Sequence, residues 1–561
     1  MFSFALALAG AGCSTSPEYR EGKNLVPEAA SETPDVWCTW RAQTRMAEAA
    51  KIAQTKAKFA GDQGGAAYGA RDNMNEHVMF GENGKGGFAD HYPEIRSDMF
   101  LLFDDGWDVP FKSSNADDIA RFGSLILNED RFPSFGGQPR ERLKKLNDAA
   151  IERGWRGAGL WIAAQRTGEK WNSDKIPAQQ QYEYWKERVL WCKYAGIKYW
   201  KVDWGAHLDD IQFRKMLTDI GRKYYPDLII EHSMPSSPLN GLALDSKTGE
   251  PIGGGRMKDW KDKAFLSDLE KLIPLVDCIR TYDVIGHLEN ATTFDRIAYY
   301  LEIGSLGCLG LIAVIMNYLE IGKRSNSSAI LNGEDALYMC ATLGMSCGVM
   351  RTPLYPPNKN GKIMDDRAEV ARAVRWHRIA PAFALNASEI NVSGEILKDS
   401  QFFPKGSTWC ATADGKTVWQ CAPAAIARGL PLPKVEAIDE KPFVAVSKHP
   451  NGAIAAGVFG RVTVRDGFRT PPADVFVDAD ISGAITGIFG NFKSITFNIS
   501  PNIGKVLAQD LASNKSVDIT HLVKIAEGKI TIGGEVLRWL CPPRSPNDTS
   551  EPGVAILALK K

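Results

Sequence analysis

Between about residues 34 and 385 the chain alternates short apolar runs with amphipathic stretches, and no other feature constrains the fold as tightly. The apolar runs are Val36–Trp40, Met99–Phe103, Gly157–Ile162, Tyr199–Val202, Leu228–Glu231, Cys278–Thr281, Leu309–Ile315 and Gly348–Arg351. Between the third and fourth, AQQQYEYWKERVLWCKYAG keeps Tyr184, Val189, Trp191, Cys192 and Ala195 at helical spacing and stops at Gly196. Before the third, Pro139 opens a segment that sets Leu143, Leu146, Ala150 and Ile151 on one face and stops at Gly154. Eight strands with helices between them predict an α/β fold, a (β/α)8 TIM barrel, whose chemistry gathers on the loops after the strand C-terminal ends. After residue 400 the texture changes to short alternating runs with turn signals, such as DVFVDAD, SITFNIS and GVAILAL. These predict a C-terminal antiparallel β-sandwich. The expected organisation is a leader and linker over 1–33, a catalytic barrel over 34–390 and the β domain over 391–561.

A chain of 561 residues is too long for one ordinary core, which agrees with two domains. Lys plus Arg and Asp plus Glu both number 67, so the net charge is zero and no nucleic-acid partner is expected. The opening MFSFALALAGAGCSTS has a short apolar stretch, then small residues and Cys13, in the manner of a bacterial export signal ending at a lipid-anchored cysteine. An exported, periplasmic or surface-attached protein is the expectation. The ten cysteines show no metal-type spacing and read as buried apolar residues, although Cys410 and Cys421 flank a hairpin-like stretch that a disulfide could close. The uncharged run Ile303–Leu319 contains glycines and Asn317 and reads as buried structure rather than a membrane span.

Acidic residues stand where a barrel places its chemistry. Asp104 and Asp105 in LLFDDGWD follow the second strand, Asp203 in YWKVDWG the fourth, and Asp283 in CIRTYDV the sixth. Cleavage of a glycosidic bond needs one ionised carboxylate at the anomeric carbon and a protonated one at the leaving oxygen. Lys201, two residues before Asp203, shares its side of the strand and can donate to substrate hydroxyls; Arg280 can do the same from the sixth strand. Trp107, Trp161, Trp200 and Trp204 are candidate platforms for the apolar face of a sugar.

The segments VWCTW (36–40), FDDGWD (103–108), YWKVDWG (199–205) and IRTYD (279–283) resemble, in order and placement, the α-galactosidase and raffinose synthase superfamily of glycoside hydrolases. The resemblance covers about residues 34 to 385. It implies Asp203 as nucleophile and Asp283 as acid/base, with Asp104, Asp105, Lys201 and Arg280 binding substrate hydroxyls, and it draws attention to Trp40 and to His232 in the variable segment IIEHSMP. It also implies a retaining, exo-acting hydrolase of oligo- or polysaccharides that needs no metal or organic cofactor. A second Asp after the acid/base, frequent in that superfamily, is replaced here by Val284, so the reaction class is better supported than galactose as the sugar. A transglycosylase and a sugar-binding barrel without catalysis stand as alternatives.

GMSCG (344–348) spells the nucleophile elbow of serine hydrolases with Ser346, but its surroundings read as a helix entering a strand. His207, Asp209 and Asp210 match no standard metal spacing and read as a loop or helix start. The Gly-rich segment Gly61–Tyr92 is too long for a routine connection; its polar cluster Arg71, Asp72, Asn73, Asn75, Glu76 and His77 is a candidate to reach substrate but reads better as a solvated loop.

Overall fold

The computed structural model describes residues 21–49, 69–113, 122–167, 176–233, 244–245, 270–283, 289–306, 328–332, 337–351, 367–403, 416–463 and 467–561. Eight parallel strands close into a barrel: β1 (Asp35–Cys38), β2 (Met99–Phe103), β3 (Gly157–Ile162), β4 (Tyr199–Val202), β5 (Ile229–Ser233), β6 (Cys278–Asp283), β7 (Ser328–Asn332) and β8 (Ser346–Val349). The ring is sealed where Val36 of β1 pairs with Gly348 of β8. Alternation along the strands divides inside from outside. Phe100 and Leu102 of β2 join Val36, Cys38, Tyr199, Cys278 and Met350 in the barrel interior, while Leu101 and Phe103 join the larger core beneath the helices.

Seven of the eight expected strands coincide with barrel strands to within a few residues. The seventh expectation, Leu309–Ile315, lies outside the described residues, and the strand that fills that place is Ser328–Asn332. That strand, SAILN, is short and flanked by polar residues, so it lacks the apolar length that marks the other strands. The uncharged run from Ile303 enters a helix that ends at Leu306, and the remainder lies outside the described residues. No helix among the described residues is long and apolar enough to cross a membrane.

The helices that matter for the site are α1 (Trp40–Ala49), α2 (Pro139–Glu152), α3 (Ala178–Ala195), α4 (Ile211–Tyr224), α5 (Glu289–Leu306), α6 (Leu337–Leu343) and α7 (Arg367–Ile379). Local chemistry sets their ends. Pro139 opens α2, where the Glu141 carboxylate accepts from the Gln138 amide at 3.0 Å. Gly196 ends α3 in the left-handed conformation. Asp210 caps α4 by accepting from the Phe213 amide, and His207 stacks on the Phe213 ring, so this trio is a helix start.

The C-terminal region holds an eight-stranded and a five-stranded sheet, and both are mixed rather than antiparallel. Strand Ala425–Arg428 pairs parallel with Phe443–Lys448, and Ile454–Phe459 pairs parallel with Ile485–Phe489. The chain crosses to Lys434–Ala437 of the smaller sheet before returning to Phe443, and to Ala473–Asp480 before returning to Ile485. A strand that leaves its sheet and comes back this way re-enters in its original direction. The two-residue alternation reports burial on one face and is blind to partner direction. One apolar cluster draws Val444, Ile488 and Ile556 from the larger sheet and Val475, Ile495 and Ile532 from the smaller.

This region leans on the barrel through Phe294 of α5, which packs on Phe443 and Phe459, and through a buried ion pair of Arg372 on α7 with Asp510 at 2.8 Å. Residues 21–33, expected to belong to the linker, are docked against both regions: Leu25 donates to Gln509 at 2.6 Å, and the Ser31 amide donates to Asp98 at 2.8 Å.

Candidate functional site

The strand β2 is apolar and wholly buried, and it delivers Asp104 and Asp105 at its C-terminal end. Both carboxylates are almost sealed from solvent. Asp104 Oδ2 accepts from Lys201 Nζ at 2.8 Å and from Cys38 Sγ at 3.1 Å, and Oδ1 accepts from the Asp105 amide at 2.8 Å. Asp105 is clamped by Arg71, whose Nε reaches Oδ1 at 2.9 Å and Nη2 reaches Oδ2 at 2.6 Å. Burial pushes the Asp105 carboxyl above the ordinary carboxylate range; Arg71 opposes the shift, and the charges of Asp104 and Asp203 add to it. Gly106 is required here. Its φ is +121°, and a Cβ would lie 2.8 Å from the Arg71 carbonyl oxygen.

On β4, Tyr199 and Lys201 point into the barrel, and Trp200 and Val202 point out. Lys201 is buried between Asp104 and Asp203, with the latter at 4.0 Å. Asp203 follows the strand, and its side chain keeps a quarter of its surface exposed, in contrast to the sealed acids beside it. Trp161 of β3 donates its indole N–H to Asp203 Oδ2 at 3.0 Å. Trp204 is half-buried, 5.3 Å from the Trp161 ring and 5.0 Å from Phe122. Gly205 lets the chain turn away at φ +152°, with the Ala164 backbone only 2.5 Å from where a Cβ would stand.

Asp104, Asp105, Trp161, Lys201, Asp203 and Trp204 therefore meet at the C-terminal ends of three adjacent strands. Trp40, the first residue of α1, is half-buried over the apolar interior of the same barrel. Arg280 of β6 lies deeper, paired with Glu231 of β5, which also accepts from the Tyr199 hydroxyl. Asp283 ends β6, its backbone opposite Asn332 of β7; its side chain lies outside what the structure describes.

Three expectations change. His232 points outward, its Nε2 2.9 Å from the Thr218 hydroxyl of α4, because it alternates with the inward Glu231. Burial, with the charges of Arg214 and Arg222, drives its ring well below the ordinary histidine range. Trp107 is fully buried and donates to the Trp161 carbonyl at 2.9 Å, so it supports the Trp161 strand end rather than offering a face. Trp200 likewise packs outward, donating to Cys192 on α3 at 3.3 Å. Ser346 begins strand β8 after helix α6 and is buried, an order opposite to that of a nucleophile elbow.

Sequence reasoning missed Cys38, Glu231 and Asp108, and it read Arg71 as solvated. Arg71 is 1% exposed. Asp108 is buried two residues beyond Gly106, accepts from the Gly123 amide at 3.0 Å, and is pushed up to about 7 by burial and by the charge of Asp105. The repeated acids of FDDGWD were the available signal for Asp108; no local pattern marked Arg71. Cys410 lies outside the described residues, as does the whole stretch 1–20 with Cys13.

A second polar group, Asp35 with Cys347 and His377, lies at the N-terminal end of β1, the pole opposite Asp203. Asp35 accepts from the Cys347 amide at 2.6 Å and pairs with His377 Nδ1 at 2.7 Å. Burial raises its carboxyl above the usual range. Conformity with the hydrogen-bond needs of a sealed carboxylate explains this group as a staple between β1, β8 and α7.

No family model matches the chain, and no curated protein does. Among solved structures it is similar to a candidate α-galactosidase from Bacteroides fragilis at 10% identity, covering 94% of this chain and 80% of that one, with a TM-score of 0.34. An α-L-fucosidase from Bacteroides thetaiotaomicron gives 9% identity, 95% and 97% coverage and a TM-score of 0.34. A tri-modular endo-β-1,4-glucanase from Bacillus licheniformis gives 10%, 90% and 100%, and 0.27. Likenesses this low assign neither a family nor an activity, and the barrel stands on its own strand pairing.

Proposed function

We propose that the chain is a retaining, exo-acting glycoside hydrolase of the α-galactosidase type. Asp203 attacks the anomeric carbon while Asp283, protonated, gives its proton to the departing oxygen; Asp283 then takes a proton from the water that releases the sugar from Asp203. One observation carries the reading: Asp203 is the partly open carboxylate in a row whose other members, Asp104 and Asp105, are sealed and charge-paired. Its hydrogen bond from Trp161 aims the carboxylate, and Trp204 beside it supplies a face for a sugar ring. Asp104 and Asp105, held by Lys201 and Arg71, order the rim on which Asp203 stands. The reading extends to a sandwich built from the two C-terminal sheets, supported by the apolar cluster they share, and to export with a lipid anchor at Cys13.

The test is a panel of aryl glycosides with NMR of the first-formed anomer. Turnover with retention, abolished in Asp203→Ala with ligand binding kept, supports the reading. Inversion, or turnover that survives the substitution, defeats it. The double displacement also requires Asp203 and Asp283 carboxyls about 5 to 5.5 Å apart.

A further inference from the structure

Arg71 does not belong to the barrel, yet it is among the most deeply buried side chains at its mouth. Four separate devices hold it there. Arg131, itself sealed, donates to the Arg71 and Met74 carbonyls and to those of Val109 and Pro110. Gln43 of α1 donates both to the Ala70 carbonyl at 3.2 Å and to the Asp105 carbonyl at 3.0 Å, tying the two segments together. Gly106 lacks the Cβ that would collide with the Arg71 backbone. The guanidinium lies 4.7 Å from the Phe122 ring centroid and 5.7 Å from that of Trp204.

The guanidinium thus has two jobs in one plane. Its edge makes a two-pronged ion pair with Asp105, and its face rests against the rings beside Asp203. Its remaining nitrogen, Nη1, is buried and makes no hydrogen bond among the described residues. A surface ion pair would gain little from such an arrangement, but a group that sets the relative position of a carboxylate and an aromatic wall needs it.

We infer that Arg71 is a positioning residue, which locks Asp105 and Trp204 into one preassembled edge beside Asp203. The inference rests on the proposed glycosidase reading for its substrate and adds the residue that orders the binding edge. Lysine cannot replace it, because an ammonium supplies neither the fork nor the flat face. Around Asp105 the charges are Arg71 and Arg131, which favour its ionised form, and Asp104, Asp203 and Asp108, which oppose it; removing Arg71 takes away the cation that is hydrogen-bonded to it.

The experiment compares Arg71→Lys, Arg71→Ala and wild type, with and without millimolar guanidinium chloride. On an aryl glycoside that wild type hydrolyses, both variants are expected to lose about 10²-fold in kcat/KM. The acid limb of the kcat/KM profile should move to higher pH, and guanidinium should restore activity to Arg71→Ala but not to Arg71→Lys. A second readout needs no substrate. The Trp204 contribution to fluorescence, obtained by difference from Trp204→Phe, should shift in Arg71→Ala and return with guanidinium. Variants that stay folded with unchanged kcat/KM, or a Trp204 signal indifferent to both the substitution and guanidinium, overturn the assignment. A wild type without turnover on any glycoside defeats the glycosidase reading instead, and the fluorescence result still decides Arg71.

Discussion

Trp161 and Asp203, 42 residues apart, meet through a 3.0 Å hydrogen bond from the indole N–H to Oδ2. The pairing of β3 with β4 makes it: Ile162 stands opposite Val202, and the Asp203 amide donates to the Ile162 carbonyl at 2.9 Å. The two side chains therefore rise from the same rim. Trp161→Phe keeps an aromatic ring on the strand and removes the donor, leaving a small cavity where the indole was. A hydrogen bond to a charged group contributes about 1.5–3 kcal/mol, so kcat/KM is expected to fall by roughly 10 to 10². Kinetics on the best aryl glycoside, with melting temperature as control, check this.

The Lys201–Asp104 pair is sealed at both ends. Removing one partner leaves a buried charge uncompensated, which costs about 3–5 kcal/mol. Lys201→Met should lower the unfolding free energy by that order in a urea titration, and the Lys201→Met, Asp104→Leu double variant should recover part of the loss. Strict additivity of the two substitutions would argue against the pair.

Asp108 gives the chain a pH dependence of stability. Its folded value of about 7 lies above the ordinary 3.8, so the folded state holds the proton more tightly than the unfolded chain. The contribution is complete below the ordinary value and is lost as pH rises through about 7. The full difference corresponds to about 4 kcal/mol. Urea titrations across that window should show wild type losing stability as pH rises, with a smaller loss in Asp108→Asn, whose amide oxygen can still accept from Gly123.

Gly205 occupies a conformation that L side chains rarely adopt, against a wall of Ala164 backbone. Gly205→Ala should disturb the exit of the chain from β4 and with it Asp203, giving a loss of about 10²-fold or more in kcat/KM. A fully active Gly205→Ala enzyme would separate this turn from function.

His232 belongs to the contact between β5 and α4. His232→Ala is expected to lower stability by about 1–3 kcal/mol through the lost buried hydrogen bond and the cavity it leaves. KM for an aryl glycoside should stay within a factor of two of wild type. A large rise in KM with unchanged stability would return His232 to the substrate.

The sequence by itself determined the barrel and most of its rim. Strand length and apolar content mark β1 to β6 and β8, because a strand buried on both faces is predominantly apolar. The acids of FDDGWD and KVDWG were legible for the complementary reason: a charge at the end of such a run can only be at a strand end. Tertiary structure alone decided which side chains face the site. Trp200 and Trp204 are four residues apart in one motif, yet one packs under α3 and the other flanks Asp203. Glu231 and His232 are neighbours with opposite directions, and only the register of β5 against β4 and β6 tells them apart. Arg71 reached Asp105 from 34 residues away through packing that no local pattern records. Local sequence dictates periodicity and chain reversal, whereas long-range contacts depend on how closed strands and their connections pack.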